Sequence, residues 1–120
     1  MLDRKDVHWD SVRLRKTTRE FVSQLAQGTH DPRIRYIVLF GSEARGEARL
    51  TSDVDIAVIS DELIPRDVKL SIVDVVDEEL ELSVDYRLVT VTTPNLYSDN
   101  PMRVGYHIKR EGLLIYERDA

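Results

Sequence analysis

The chain has 120 residues, 42% of them apolar and 32% charged, which predicts one water-soluble globular domain spanning 1–120 with enough length to bury its own core. It has no cysteine, which excludes a disulfide framework and any thiolate metal centre. Its net charge of −5 offers no general attraction to nucleic acid, so no direct nucleic-acid binding is expected. No apolar run has the length of a membrane span and the opening MLDRKDVHWD lacks the core of a signal peptide, so the expectation is a cytoplasmic protein without membrane contact.

Residues 11–27 read as an amphipathic helix, with Leu14, Thr18, Phe21, Val22 and Leu25 at helical spacing and Gly28 as its stop. Arg13, Arg15, Lys16 and Arg19 lie off that stripe and are expected on a solvated basic face; a docking face for an acidic partner or RNA is the sharper alternative. His30-Asp31-Pro32 marks a turn. Arg35 to Phe40 is a nearly continuous apolar run that suits a strand covered on both faces, and Val54 to Ile59 is a second. Pro65 opens a predicted helix whose stripe is Val68, Ile72, Val75, Val76 and Leu80. Val84 to Val91 alternates as a strand does, and Thr92 to Asp99 reads as a loop. Asn100-Pro101 and Gly112 bracket a further helix, and Leu113 to Tyr116 is a last short strand. The order α-β-α-β-α-β-α-β predicts an α/β layer with a mostly buried sheet.

The chemistry concentrates between the two apolar runs. Gly41-Ser42 ends the first, ten residues intervene, and Asp53-Val54-Asp55 opens the second. Glycine permits a tight turn and a close approach of backbone to ligand. Serine opening a short helix is an ordinary cap, but the same geometry aims free N–H groups and a hydroxyl at phosphate oxygens. Asp53 and Asp55, two apart in a strand, point to one face. Two carboxylates in a segment that otherwise wants burial need a neutralising charge, and a divalent cation supplies it; oxygen-only ligands select Mg²⁺ or Mn²⁺. The plainer alternative makes Asp53 a turn cap and Asp55 an exposed edge residue. Asp85, early in the strand VDYRLV, would join them if the strands are neighbours. Three converging carboxylates would clamp two ions about 4 Å apart for in-line displacement at phosphorus. Arg45, one helical turn after Ser42, is placed to reach triphosphate oxygens or to remain a surface arginine, and Gly46 would end its short helix. His8, His30 and His107 are expected in a tail, a turn and a helix, with no catalytic role.

GSEARG, then SDVDIAV, then VDYRLV resemble the minimal nucleotidyltransferases of the DNA polymerase β superfamily, and in particular the MNT proteins that accompany HEPN-domain toxins in toxin–antitoxin pairs. The resemblance runs from about Ile34 to Tyr116 and includes the late segment EGLLIY. It implies a polymerase-β-like core with a mixed sheet flanked by helices. It implies that Gly41 and Ser42 hold a nucleoside triphosphate, with Arg45 the further candidate from its position, and that Asp53, Asp55 and Asp85 bind two Mg²⁺ ions and are the catalytic set. Glu43 departs from the neutral or basic residue of many relatives, and its charge beside the phosphate turn would weaken nucleotide binding unless it points elsewhere.

The implied function is an antitoxin enzyme that moves AMP from ATP to a hydroxyl, a tyrosine, of a cognate HEPN ribonuclease toxin. Larger relatives add a helical domain for the acceptor, so here a partner is expected to hold it or to be it, giving a hetero-oligomer with its toxin or a homodimer alone. Two alternatives stay open: an antitoxin that neutralises by contact without catalysis, and a nucleotidyltransferase acting on a small molecule or an RNA end.

Overall fold

The two apolar runs on either side of the Gly-Ser and Asp-x-Asp segments build the centre of the sheet. In the computed structural model, which describes residues 2–29, 31–63 and 85–118, they are β1 (Ile34–Phe40) and β2 (Val54–Ser60). Every residue of β2 is buried and all of β1 except Arg35. That is why neither run alternates: both strands are covered above and below. They pair antiparallel, from Ile34 opposite Ser60 to Phe40 opposite Asp55. β3 (Tyr86–Thr92) joins β2 in parallel and β4 (Leu113–Glu117) joins β1 antiparallel, giving a mixed four-stranded sheet in the order β3-β2-β1-β4. β3 starts two residues later than expected from sequence.

One face packs on α1 (Lys16–Gly28), whose Thr18, Phe21, Val22 and Leu25 are buried as their spacing predicts. With Ile37, Leu39, Val54, Ile56, Val58, Leu113 and Ile115, the apolar Phe21, Val22 and Leu25 make the first core, and Phe21 meets the Tyr86 ring at 5.2 Å. The helix begins five residues later than the sequence pattern suggests. Before it, Trp9–Ser11 make a single 3-10 turn, capped by His8, whose Nδ1 accepts from the Asp10 amide. Val12 and Leu14 pack on the core from an irregular segment, and Arg15 is still extended.

The opposite face carries Tyr36, Val38, Phe40, Ala57, Ile59 and Val91 beneath Leu96 and Ile108. Those two come from α2 (Thr93–Leu96), a four-residue helix where a loop was expected, and α3 (Val104–Glu111). α3 does not start at Pro101, because the Asn100 Oδ1 accepts the Met102 amide and holds that stretch as a turn. The predicted turn at Asp31 is made by its Oδ1 accepting the Arg33 amide, and His107 sits exposed on α3. The helix predicted after Pro65 and the positions of His30 and Val84 lie outside the described residues. Among the described residues no helix is long and apolar enough to cross a membrane.

Candidate active site

The turn after β1 is fixed by backbone geometry. Gly41 has φ +76°, and a side chain there would place its first carbon 2.1 Å from the Asp55 Oδ2. Only glycine fits, and the result is that a carboxylate rests directly against the turn. The short helix expected after Ser42 is one turn only. Arg45 N–H donates to Gly41 O (3.1 Å), Gly46 N–H to Glu43 O (3.0 Å) and Glu47 N–H to Ser42 O (2.9 Å). The last two bonds, with Gly46 at φ +72°, form a Schellman closure that stops the helix as soon as it starts.

Glu43 points inward. It is 2% exposed, and its Oε1 accepts from the Arg15 Nε and the Thr18 hydroxyl. Arg15 also donates to the carbonyls of Arg49 (2.8 Å) and Ser52 (2.9 Å). The expectation of a solvated basic face therefore fails for Arg15, and for Arg19 too, which pairs with Asp10 and donates to Val12 O. Arg15 ties the start of α1 to the Gly41 turn and to the loop that leads into Asp53.

Sheet register sets the acidic residues at the same end of two neighbouring strands. Asp55 pairs with Arg87 and Val54 with Tyr86, and the Val54 amide donates to the Asp85 carbonyl at 2.9 Å. Continued by one residue, that register sets Asp53 beside Asp85. Asp55 and Arg87, neighbours in that register, stand at one end of the sheet face that carries Ala57 and Ile59, while Asp53 and Asp85 each lie one residue before their strand. Asp55 is buried, while Asp53 and Asp85 are exposed. The Arg87 Nε donates to Asp55 Oδ1 at 2.8 Å. That bond, then the charges of Asp55 and Asp53, hold the arginine above its ordinary pKa. As the side chains stand, no three histidine, cysteine, aspartate or glutamate residues among those described gather into a group able to hold a metal ion. The backbone brings the three aspartates to the same end of β2 and β3, and Arg87 supplies the positive charge beside Asp55. Arg87 escaped the sequence reading, although the period of two that grouped Asp53 with Asp55 also groups Arg87 with Asp85.

A second missed residue is Glu111, the last of α3. Its Oε1 accepts the Gly41 amide at 3.0 Å, and its two oxygens accept from Arg45 Nη1 at 3.2 and 3.1 Å. Arg45 Nε donates to Glu47 at 3.0 Å, and the bonds to Glu47 and Glu111 raise the pKa of the arginine. Arg4 joins the same assembly, donating to Ala44 O (2.6 Å) and Glu111 O (3.2 Å). The available signal was position: an acid in the last turn of a helix opposes the helix dipole and asks for a partner from elsewhere. Beside the start of α1, a cavity of about 520 Å³ is lined by Arg15, Lys16, Thr17, Leu50, Thr51, Ser52 and Asp85.

The family model described as "Polymerase beta, Nucleotidyltransferase" matches residues 23–120. No curated protein sequence matches the chain. Among solved structures, one described as "Crystal structure of the toxin-antitoxin with AMP-PNP" is similar at a TM-score of 0.55 and 21% identity, over 83% of this chain and 73% of that one. A second, "Crystal structure of a putative nucleotidyltransferase from Sulfolobus solfataricus", has a TM-score of 0.44 and 22% identity over 86% of this chain and 79% of that one. The first likeness is one of fold.

Proposed function

This chain belongs to the polymerase β nucleotidyltransferase family, and from that premise we propose that it transfers AMP from ATP, with Mg²⁺, to a tyrosine hydroxyl of a cognate HEPN ribonuclease toxin. The observation that supports the reading is that Asp53, Asp55 and Asp85 lie at the same end of the neighbouring strands β2 and β3, with Asp55 packed against the Gly41 turn. The donor set is all oxygen, which fits a hard divalent cation. Asp53, Asp55 and Asp85 would hold it, with Asp55 exchanging its Arg87 partner for the ion. When bound, the metal neutralises charge on the triphosphate and at the reacting phosphorus.

The chain's own residues then position the nucleotide. Gly41 and Ser42 present the turn and Arg45 a guanidinium to the phosphate tail, while Glu43 faces inward, paired with Arg15 and Thr18, and so does not repel it. The acceptor oxygen attacks the α-phosphorus, the bond from that phosphorus to the bridging oxygen breaks, pyrophosphate leaves, and the hydroxyl proton passes to an aspartate of the set. Positioning and charge neutralisation are most of what such a transfer demands. The acceptor and the MNT-type partnership rest on the sequence resemblance. The solved toxin–antitoxin with AMP-PNP, similar in fold, supports the choice of nucleotide.

The test is incubation of the protein with α-labelled ATP, Mg²⁺ and the product of the neighbouring gene. The partner should acquire label, and Asp53→Ala combined with Asp55→Ala should abolish it; labelling that survives the double substitution rejects the site. A contact-only antitoxin is the second reading, favoured by the Arg87–Asp55 ion pair, which satisfies Asp55 without a metal. Under it, the double variant still neutralises the toxin on co-expression.

A further inference from the structure

We propose that Glu111 is a positioning residue for the nucleotide, holding the Gly41 amide and the Arg45 guanidinium in the arrangement the phosphate tail requires. The inference rests on the nucleotidyltransferase reading above and gives a role to a residue that reading left without one. Both groups that Glu111 grips belong to the turn, and Glu111 reaches them from 70 and 66 residues away in sequence. The Gly41 residue is buried, so its amide needs a partner, and a carboxylate oxygen at 3.0 Å is a strong acceptor.

The grip on Arg45 is directional. Glu111 takes Nη1 and Glu47 takes Nε, so the hydrogen bonds Arg45 makes among the described residues leave Nη2 for a ligand. A long side chain that is nearly half exposed would otherwise sample many rotamers. Held on two of its nitrogens, it loses that freedom before the nucleotide arrives, which lowers the entropy cost of binding. Glu111 itself is anchored, because Arg4 spans its carbonyl and that of Ala44. The end of α3 and the phosphate turn therefore move as one piece. The opposite role, a carboxylate occupying the place of a phosphate and excluding it, predicts the reverse change in affinity.

Affinity for a non-hydrolysable ATP analogue with Mg²⁺, measured by calorimetry on the full chain, separates the two. Glu111→Ala should weaken binding about tenfold, while Glu111→Gln, which keeps an acceptor for the Gly41 amide, should stay within about threefold of wild type. If the alanine variant does not fold, Glu111→Asp, too short by one methylene, replaces it with the same expectation. In an Arg45→Ala background the loss from Glu111→Ala should shrink to less than about threefold, a coupling that a merely structural role would not produce. Unchanged or tighter binding by Glu111→Ala, or losses that simply add with Arg45→Ala, overturns the inference. A wild-type chain that does not bind the analogue overturns the underlying reading instead.

Discussion

Substituting Arg15 by methionine tests the contact that ties α1 to the Gly41 turn. Glu43 is 2% exposed and Arg15 22% exposed, so the substitution leaves an almost fully buried carboxylate with the Thr18 hydroxyl as its remaining donor. Breaking a buried pair from one side costs about 3–5 kcal/mol. Water can enter where the partly exposed guanidinium stood, which sets the expectation at the lower end, about 3 kcal/mol. The carbonyls of Arg49 and Ser52 also lose a donor, but they lie on a partly exposed loop where water replaces it. For a chain of 120 residues, melting entropies of about 2.1 cal/mol/K per residue convert 3 kcal/mol into a fall in Tm of roughly 12 °C. Urea unfolding followed by circular dichroism should show the midpoint falling with the m-value unchanged. The companion variant Arg15→Met with Glu43→Leu removes both charges, and should recover to within about 1 kcal/mol of wild type. A single-variant loss below about 1 kcal/mol, or a double variant no more stable than the single, would refute the reasoning.

Gly41→Ala should be worse for function than for folding: the left-handed backbone costs about 1–2 kcal/mol, but the new carbon displaces the Asp55 carboxylate, so nucleotidyl transfer should be lost while a cooperative melt persists. Arg87→Met should lower Tm in metal-free buffer, because Asp55 loses its partner, and added Mg²⁺ should raise Tm more in this variant than in wild type; equal Mg²⁺ responses would argue against a cation at Asp55. Asp61 has a lowered pKa, chiefly from its hydrogen bonds with Arg35 and Thr93. Its contribution is therefore present above the ordinary aspartate pKa near 4 and is lost as pH falls through the lower folded value, so the stability gap between wild type and Asp61→Asn should be constant at neutral pH and close in acid.

The central strands were legible because burial on both faces writes an uninterrupted apolar run, and α1 because one buried face writes a stripe. The start of α1 was not, since Val12 and Leu14 continue the apolar spacing while packing from a non-helical segment. α2 was hidden by its length, one turn being too short to show a period. In the site, one backbone feature followed from residue type: a glycine in a left-handed turn. The ionic partners did not. Arg15 with Glu43, Arg87 with Asp55 and Glu111 with Arg45 join residues 28, 32 and 66 apart, and a charge whose partner is distant in sequence looks the same as one facing water.

Two of the side chains that clamp the Gly41–Glu47 segment, Arg4 and Arg15, precede the span 23–120 that the family model covers. A version shortened to that span would retain all four strands and every acidic residue of the set. It would nonetheless strip the bend of two of its fasteners and leave Glu43 as a stranded charge in the interior. The same cut would remove the first half of α1 with the buried Thr18, Phe21 and Val22, so activity lost on such trimming would reflect a slackened bend and a thinned core, with the acidic residues still in place.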